Sequence, residues 1–141
     1  MQFQFKLKVH APKAAIWPYY ADPEKRYIWE EDLEQLTFAG AVAEGTTGTM
    51  KLKGMPELAF TLTKIVDQTS YWDRTDVPGV GSLHFGHDIV QDGEDIYICH
   101  SVGLESDHLS AEDLPFLTQV FADVPKAVFK IKEEAEAQRA I

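Results

Sequence analysis

Two histidines, His87 and His100, are the residues of this 141-residue sequence best suited to acid–base or hydrogen-bonding chemistry. They lie in alternating runs on either side of Asp92-Gly93, a dipeptide that favours a two-residue hairpin loop. If that dipeptide forms the loop, facing residues have numbers that sum to 185, so His87 faces Ile98 and His100 faces Phe85. Both histidines then lie on the apolar face of the hairpin, as diagonal neighbours roughly 7–8 Å apart.

An imidazole on an apolar face has two interpretations. It is a core side chain bonded to a neighbour, or it is the polar end of an apolar pocket, where it donates, accepts or carries a proton. Burial without a charge partner disfavours the imidazolium form, so we expect the pKa of each inward histidine to lie below its ordinary value. His84 falls on the opposite face and cannot join His87 in binding a metal. We therefore predict neither a metal nor another cofactor.

No nucleophile motif accompanies the histidines. The sequence lacks GxSxG, a Gly-rich phosphate loop and a dinucleotide fingerprint. The single cysteine, Cys99, is predicted on the face opposite the histidines, which disfavours a Cys–His pair. Trp72 and Arg74 would interest us if they faced inward, where Arg74 could hold a ligand carboxylate, but the pattern leaves their facing open. We assign no catalytic residue from the sequence.

The hairpin is predicted to belong to a larger antiparallel sheet. Residues 2–10 alternate between apolar and polar types, as in a strand with one buried face. Two short helices follow at Lys13–Ala21, bent by Pro18, and at Glu24–Glu31. Further alternation predicts strands around Leu36 and Phe38, at Thr46–Lys53, around Leu58–Thr63, at Tyr71–Val77 and on both sides of the Asp92-Gly93 turn.

The C-terminal segment is predicted to be a long helix that begins after the N-cap Ser110. Its apolar residues recur at spacings of three and four and form one stripe: Leu114, Leu117, Phe121, Val124, Val128, Ile131 and Ala135. Pro125 falls inside this helix, so we expect a kink between Phe121 and Pro125. The stripe needs a broad apolar surface, which the inner face of the sheet can supply.

Composition restricts the partners of the chain. A hydrophobic content of 45% predicts one globular domain over residues 1–141. The formal charge of −10 argues against nucleic acid and against a polybasic membrane-surface role. No apolar run approaches the ~18 residues that span a bilayer, so membrane insertion is not expected. A single cysteine fits a cytoplasmic location, and the sequence leaves a homodimer open.

Several segments resemble the helix-grip superfamily of START-type lipid-transfer domains, pathogenesis-related plant proteins and bacterial polyketide cyclase/dehydrase-like proteins. They are VHAPKAAIWPYYADPEKRYIWEEDLEQ, GTTGTMKLKG, DGEDIYICHSVGLE and the terminal helix, and the last of these protein groups is the most similar. The resemblance covers nearly the whole chain. It implies an α+β helix-grip fold, with a curved antiparallel sheet of about seven strands around the C-terminal helix. It implies no universal set of catalytic residues.

These observations predict binding of a small apolar or aromatic molecule, with lipids in that class, in a cavity between helix and sheet of ~300–1,000 Å³. The predicted lining residues are Met50, Phe60, Leu62, Phe85, His87, Ile98, His100, Leu117, Phe121 and Val124. One alternative is an aldol-type cyclase or dehydratase, in which His87 or His100 acts as general acid or base toward an enolisable ketone. Another is an interaction module with a filled core and no ligand.

Overall fold

A computed structural model describes residues 1–139, and its strands form one antiparallel seven-stranded sheet. The strand order is β1-β7-β6-β5-β4-β3-β2, so the first two strands of the chain lie at the two edges. The strands are β1 Gln2–Val9, β2 Leu33–Phe38, β3 Thr47–Leu52, β4 Leu58–Val66, β5 Ser70–Val77, β6 Gly81–Asp92 and β7 Asp95–Glu105.

Three short helices separate the two edge strands: α1 Lys13–Ile16, α2 Pro18–Ala21 and α3 Pro23–Trp29. Pro18 begins α2, because a proline lacks the N–H that would continue the preceding helix. Pro23 occupies the first turn of α3, and the Asp22 side chain accepts a hydrogen bond from the Glu24 N–H at 3.0 Å. The segment therefore folds back sharply, and α3 lies close to the sheet and to the C-terminal helix.

The C-terminal segment begins with a 3-10 turn, Ala111–Asp113, and continues as α4 Leu114–Phe121 and α5 Val124–Arg139. Ser110 caps the 3-10 turn in a reciprocal capping box with Asp113. The interruption between Phe121 and Val124 lies within the predicted kink region, and the kink is confirmed. Together with the single curved antiparallel sheet, the long helix confirms the predicted α+β helix-grip architecture.

The apolar stripe of the C-terminal helices lies against the inner face of the sheet. Leu117, Val128, Ile131 and Ala135 are fully buried there, whereas Leu114 at the start of α4 is 40% exposed. None of the helices within residues 1–139 combines the length and apolar character needed to cross a membrane.

The β6–β7 hairpin has a different register from the predicted one. Asp92 pairs with Asp95, so the loop is Gly93-Glu94 and the numbers of facing residues sum to 187. Gly93 has a φ of 63° and Glu94 has a negative φ, as in a type II′ turn with glycine at its first central position. Because the shift is two residues, every side chain keeps its predicted face. His87 now faces His100 directly instead of Ile98.

The pairing of β5 with β6 decides the facing of β5, which the sequence pattern left open. Asp73 pairs with Phe85 and Tyr71 pairs with His87, so Asp73 lies on the same face as these inner residues. Leu62 of β4 pairs with Asp73, but after a β-bulge Lys64 pairs with Trp72, so the considered pairing of Lys64 with Asp73 is wrong. Asp73 is buried on the inner face of the sheet. Trp72 and Arg74 face the other side, where the Trp72 Nε1–H donates to Asp88 and Arg74 pairs with exposed Asp76.

Candidate functional site

A cavity of about 390 Å³ lies between α3, the inner face of the sheet and the segment that joins α4 to α5. Its volume falls in the ~300–1,000 Å³ range of small-molecule pockets. Apolar side chains form much of the wall: Trp29, Met50, Leu52, Phe85, Val102, Val120, Val124 and Ala127. Polar side chains also line it, and the inner ones are Arg26, Asp73, His87 and His100.

Half of the residues predicted to line a cavity do so, namely Met50, Phe85, His87, His100 and Val124. The other five, Phe60, Leu62, Ile98, Leu117 and Phe121, are not among the lining residues. Leu62, Ile98 and Leu117 are fully buried, because neighbouring side chains surround them on every side. Phe60 packs edge-on against Phe38, and Phe121 packs edge-on against Phe3, with ring centres 5.5 and 5.8 Å apart.

The two histidines form a contacting pair at the inner end of the cavity. Their rings meet edge to face, with centres 4.7 Å apart. His87 Nδ1 lies 2.8 Å from the backbone carbonyl of Tyr71, which can only accept, so Nδ1 carries the proton. His100 Nε2 lies 2.8 Å from the hydroxyl of buried Tyr20. The predicted burial of both histidines is confirmed.

Burial holds both imidazoles in their neutral form. Burial and, to a smaller extent, the nearby Arg26 guanidinium lower the pKa of His87 to about 3, and the Tyr71 hydrogen bond opposes them. Burial also lowers the pKa of His100 well below the ordinary value, and His87 and Arg26 act in the same direction. At neutral pH the pair therefore offers uncharged donors and acceptors to the cavity.

Arg26 is a buried cation that the sequence analysis missed. It is 4% exposed and forms an ion pair with Glu30 one helical turn later. Its guanidinium carbon lies 4.9 Å from the ring centre of Trp29 and 5.2 Å from that of Tyr71. Burial lowers the pKa of Arg26, but Glu30, Tyr71 and Asp73 together outweigh it and hold the group charged.

Asp73 is the second ionisable group that the sequence analysis missed. The carboxyl is 5% exposed, and its Oδ1 has no hydrogen-bond partner within residues 1–139. Burial raises its pKa to about 7, with Arg26 lowering the value and Glu30 raising it. Asp73 therefore changes charge near neutral pH, inside the cavity.

Only part of this polar group carried a signal in the sequence. Arg26, Trp29 and Glu30 are three and four residues apart, so they lie on one face of α3, and Arg–Glu at i,i+4 is a recognised helix pair. That spacing could have indicated a buried ion pair. The inward facing of Asp73 follows from its pairing with Phe85 of β6, and the residue pattern of β5 gives no clear signal for that pairing.

Charged residues surround the outer end of the cavity. Lys126 Nζ of α5 lies 3.1 Å from Glu31 Oε2, which follows α3, so this ion pair joins two sides of the opening. Both side chains are more than 60% exposed, so the pair contributes at most about 1 kcal/mol. Within the described part of the chain, no group of three or more His, Cys, Asp or Glu residues could hold a metal ion.

Comparison with solved structures shows the same fold in proteins of very different sequence. Protein MLL2253 from Mesorhizobium loti has a TM-score of 0.77 at 8% identity, with 97% of this chain and 98% of that chain covered. Norcoclaurine synthase from Thalictrum flavum has a TM-score of 0.71 at 14% identity, with 99% and 96% covered. DynU16, from the dynemicin biosynthetic locus, has a TM-score of 0.71 at 13% identity.

This chain spans about half of DynU16, since 96% of it aligns with 47% of that protein. No protein-family model and no curated protein sequence matches the chain. At these identities the likeness shows the fold, and the chain has the helix-grip fold of these proteins.

Proposed function

We propose that this protein binds a small apolar or aromatic molecule with a few polar groups in the cavity between its C-terminal helix and sheet. The observation that carries the proposal is the cavity itself, whose apolar wall ends in a small set of buried polar side chains. Norcoclaurine synthase, which has the same fold, was solved with dopamine and hydroxybenzaldehyde bound. The cavity weighs against an interaction module with a filled core. The charge of −10 and the single cysteine support a cytoplasmic protein without a nucleic-acid partner.

The histidine pair suits hydrogen bonding to a neutral ligand better than proton abstraction. A general base works best when its pKa lies near the operating pH, whereas burial lowers the pKa of His87 to about 3. His87 and His100 line the cavity, and one nitrogen of each ring is engaged by Tyr71 or Tyr20. The second nitrogen of each ring is the atom left for a ligand, so we favour binding over a histidine-based cyclase or dehydratase.

Filling the cavity should weaken binding. Ala127 of α5 is half-buried and lines the cavity, so Ala127→Phe places a ring where a ligand would lie. We expect the affinity for naphthalene, followed by the fluorescence of this probe, to fall at least about tenfold, because the new ring occupies space that the ligand needs.

Ala137→Phe is the matched control, because Ala137 is an exposed position of the same helix and should leave the affinity unchanged. A folded wild-type protein that binds no aromatic probe would contradict the proposed function. If the probe binds, native mass spectrometry of gently purified protein, which detects a co-purifying ligand, would identify the natural ligand class.

A further inference from the structure

Arg26 and Asp73 line the same cavity but do not pair with each other. Arg26 Nε and Asp73 Oδ1 are both fully buried, and neither has a hydrogen-bond partner among residues 1–139. A buried polar group without a partner destabilises the folded state, and more so when it is charged. Two side chains of opposite hydrogen-bonding type that line one ligand-sized cavity and leave such atoms unpaired indicate a site for a polar ligand group.

We propose that the Arg26 guanidinium and the Asp73 carboxyl, which line the same cavity, together bind one neutral hydroxyl group of an aromatic ligand, as in a phenol. The proposal rests on the proposed function and names the chemical class of ligand that the cavity selects. The hydrogen-bonding capacities of the two side chains carry the argument. A guanidinium only donates and a carboxylate only accepts, whereas a hydroxyl oxygen accepts one hydrogen bond while its proton donates another.

Ligand groups other than a hydroxyl do not satisfy both the Arg26 and the Asp73 side chains. An ammonium donates to Asp73 but gives Arg26 no acceptor, and the guanidinium repels it. A carboxylate accepts from Arg26 but faces the Asp73 carboxylate at short range, and like charges in a buried site disfavour each other. A neutral hydroxyl can accept from Arg26 and donate to Asp73 without adding a charge to the cavity.

The cavity side chains next to Arg26 and Asp73 favour an aromatic ring as the carrier of the hydroxyl. Trp29 lines the cavity and its ring lies 4.9 Å from the Arg26 guanidinium carbon. Phe85 pairs with Asp73 across β5 and β6 and lines the cavity as well. Aromatic rings prefer offset or edge-to-face contact with one another, which these two side chains can offer to a bound ring.

The preference for a hydroxyl should depend on pH. The cavity that Asp73 lines also contains other charged and titratable groups from each surrounding element, and Tyr71 of β5 lies near Asp73 as well. The lining groups are Arg26 and Glu30 from α3, Glu31 and Asp32 after it, His87 from β6, His100 from β7, Asp123 before α5, and Lys126 and Lys130 from α5. Burial raises the pKa of Tyr71 to about 12 and lowers that of His87 to about 3, so neither changes charge between pH 6 and pH 8. The pKa of Asp73 is about 7, so its ability to accept from a hydroxyl increases over this interval.

The test compares 2-naphthol with naphthalene, which has the same rings and no hydroxyl. At pH 8 we expect wild-type protein to bind 2-naphthol about 10- to 100-fold more tightly, the range of a hydrogen bond to a charged group. The ratio of the two affinities should decrease at pH 6. In Asp73→Leu it should fall close to one at both pH values, and in Asp73→Asn it should no longer depend on pH. Arg74→Leu, on the outer face of the same strand, should keep the wild-type ratio.

The outcomes separate this inference from the proposed function. Equal affinities for 2-naphthol and naphthalene in the wild-type protein would overturn the hydroxyl site and leave the binding cavity intact. Tighter binding of 2-naphthoate than of 2-naphthol would also overturn it, in favour of an anion site at Arg26. Failure of folded wild-type protein to bind either neutral probe would contradict the proposed function and the hydroxyl site together.

Discussion

On acidification from pH 7 to pH 4, the two buried histidines are expected to lower the free energy of unfolding, against an opposing contribution from Asp73. Burial lowers the pKa of His87 to about 3 and that of His100 well below its ordinary value, so the folded state resists protonation while the unfolded state takes up protons below pH 6.5. A lowered histidine pKa therefore destabilises the fold as the pH falls. For His87 alone, 2.5 pH units at 1.36 kcal/mol each correspond to about 3 kcal/mol.

The loss should depend on the buried histidines and not on acid in general. In His87→Asn the side-chain amide nitrogen is as many bonds from the backbone as Nδ1, so it can still donate to the Tyr71 carbonyl but takes up no proton. The difference in unfolding free energy between pH 7 and pH 4, from urea titrations, should shrink by about 3 kcal/mol. The matched variant His108→Asn changes an exposed histidine and should keep the wild-type difference. An equal loss in His87→Asn and wild type would show that His87 is accessible to protons in the folded state.

Asp73→Asn is expected to stabilise the protein at pH 8 by about 4 kcal/mol relative to its effect at pH 4. Burial raises the pKa of Asp73 from 3.8 to about 7, so the folded state binds the proton more strongly than the unfolded state does. The stability that this proton contributes is present below pH 3.8 and is lost as the pH rises to about 7. The cost of the ionised carboxyl corresponds to roughly three pKa units of 1.36 kcal/mol each.

Urea titrations of wild type and Asp73→Asn at pH 4 and pH 8 measure this effect. Asp67→Asn is the control, because Asp67 is an exposed carboxyl in the turn between β4 and β5 and should change stability by less than about 0.5 kcal/mol at either pH. If Asp73→Asn instead destabilises the protein at pH 8, the carboxylate is well satisfied in the folded state. The proposed hydroxyl site would then lose its main support.

The two pH effects have opposite signs, and both arise in one cavity. The buried histidines destabilise the fold in acid, and the buried Asp73 destabilises it above neutral pH, so stability from these groups is greatest near pH 6 to 7. A carboxyl that costs stability without a partner is unusual in a packed interior, but polar groups of this kind are common at binding sites. A ligand hydroxyl that bonds to Asp73 would recover part of that cost.

Features that depend on periodicity alone were predictable from the sequence. The alternation of residue types in the last hairpin placed His87 and His100 on the inner face, and both are buried there. The three–four spacing of the C-terminal residues predicted the helix that packs on the sheet, and Pro125 predicted the interruption before it. These predictions succeed because the period of each element follows from local backbone geometry, which neighbouring elements do not change.

The tertiary structure decided which polar groups meet. A hairpin register shifted by two residues keeps every side chain on its face, so alternation could not reveal that His87 and His100 are direct neighbours. Asp73 lies on the inner face because β5 pairs with β6 in the register that places it opposite Phe85, and it is buried there. Arg26 becomes a cavity residue only because α3 packs against that sheet with Glu30 as its ion partner. Such contacts join residues far apart in the chain, and their free energy depends on burial and distance that exist only after folding.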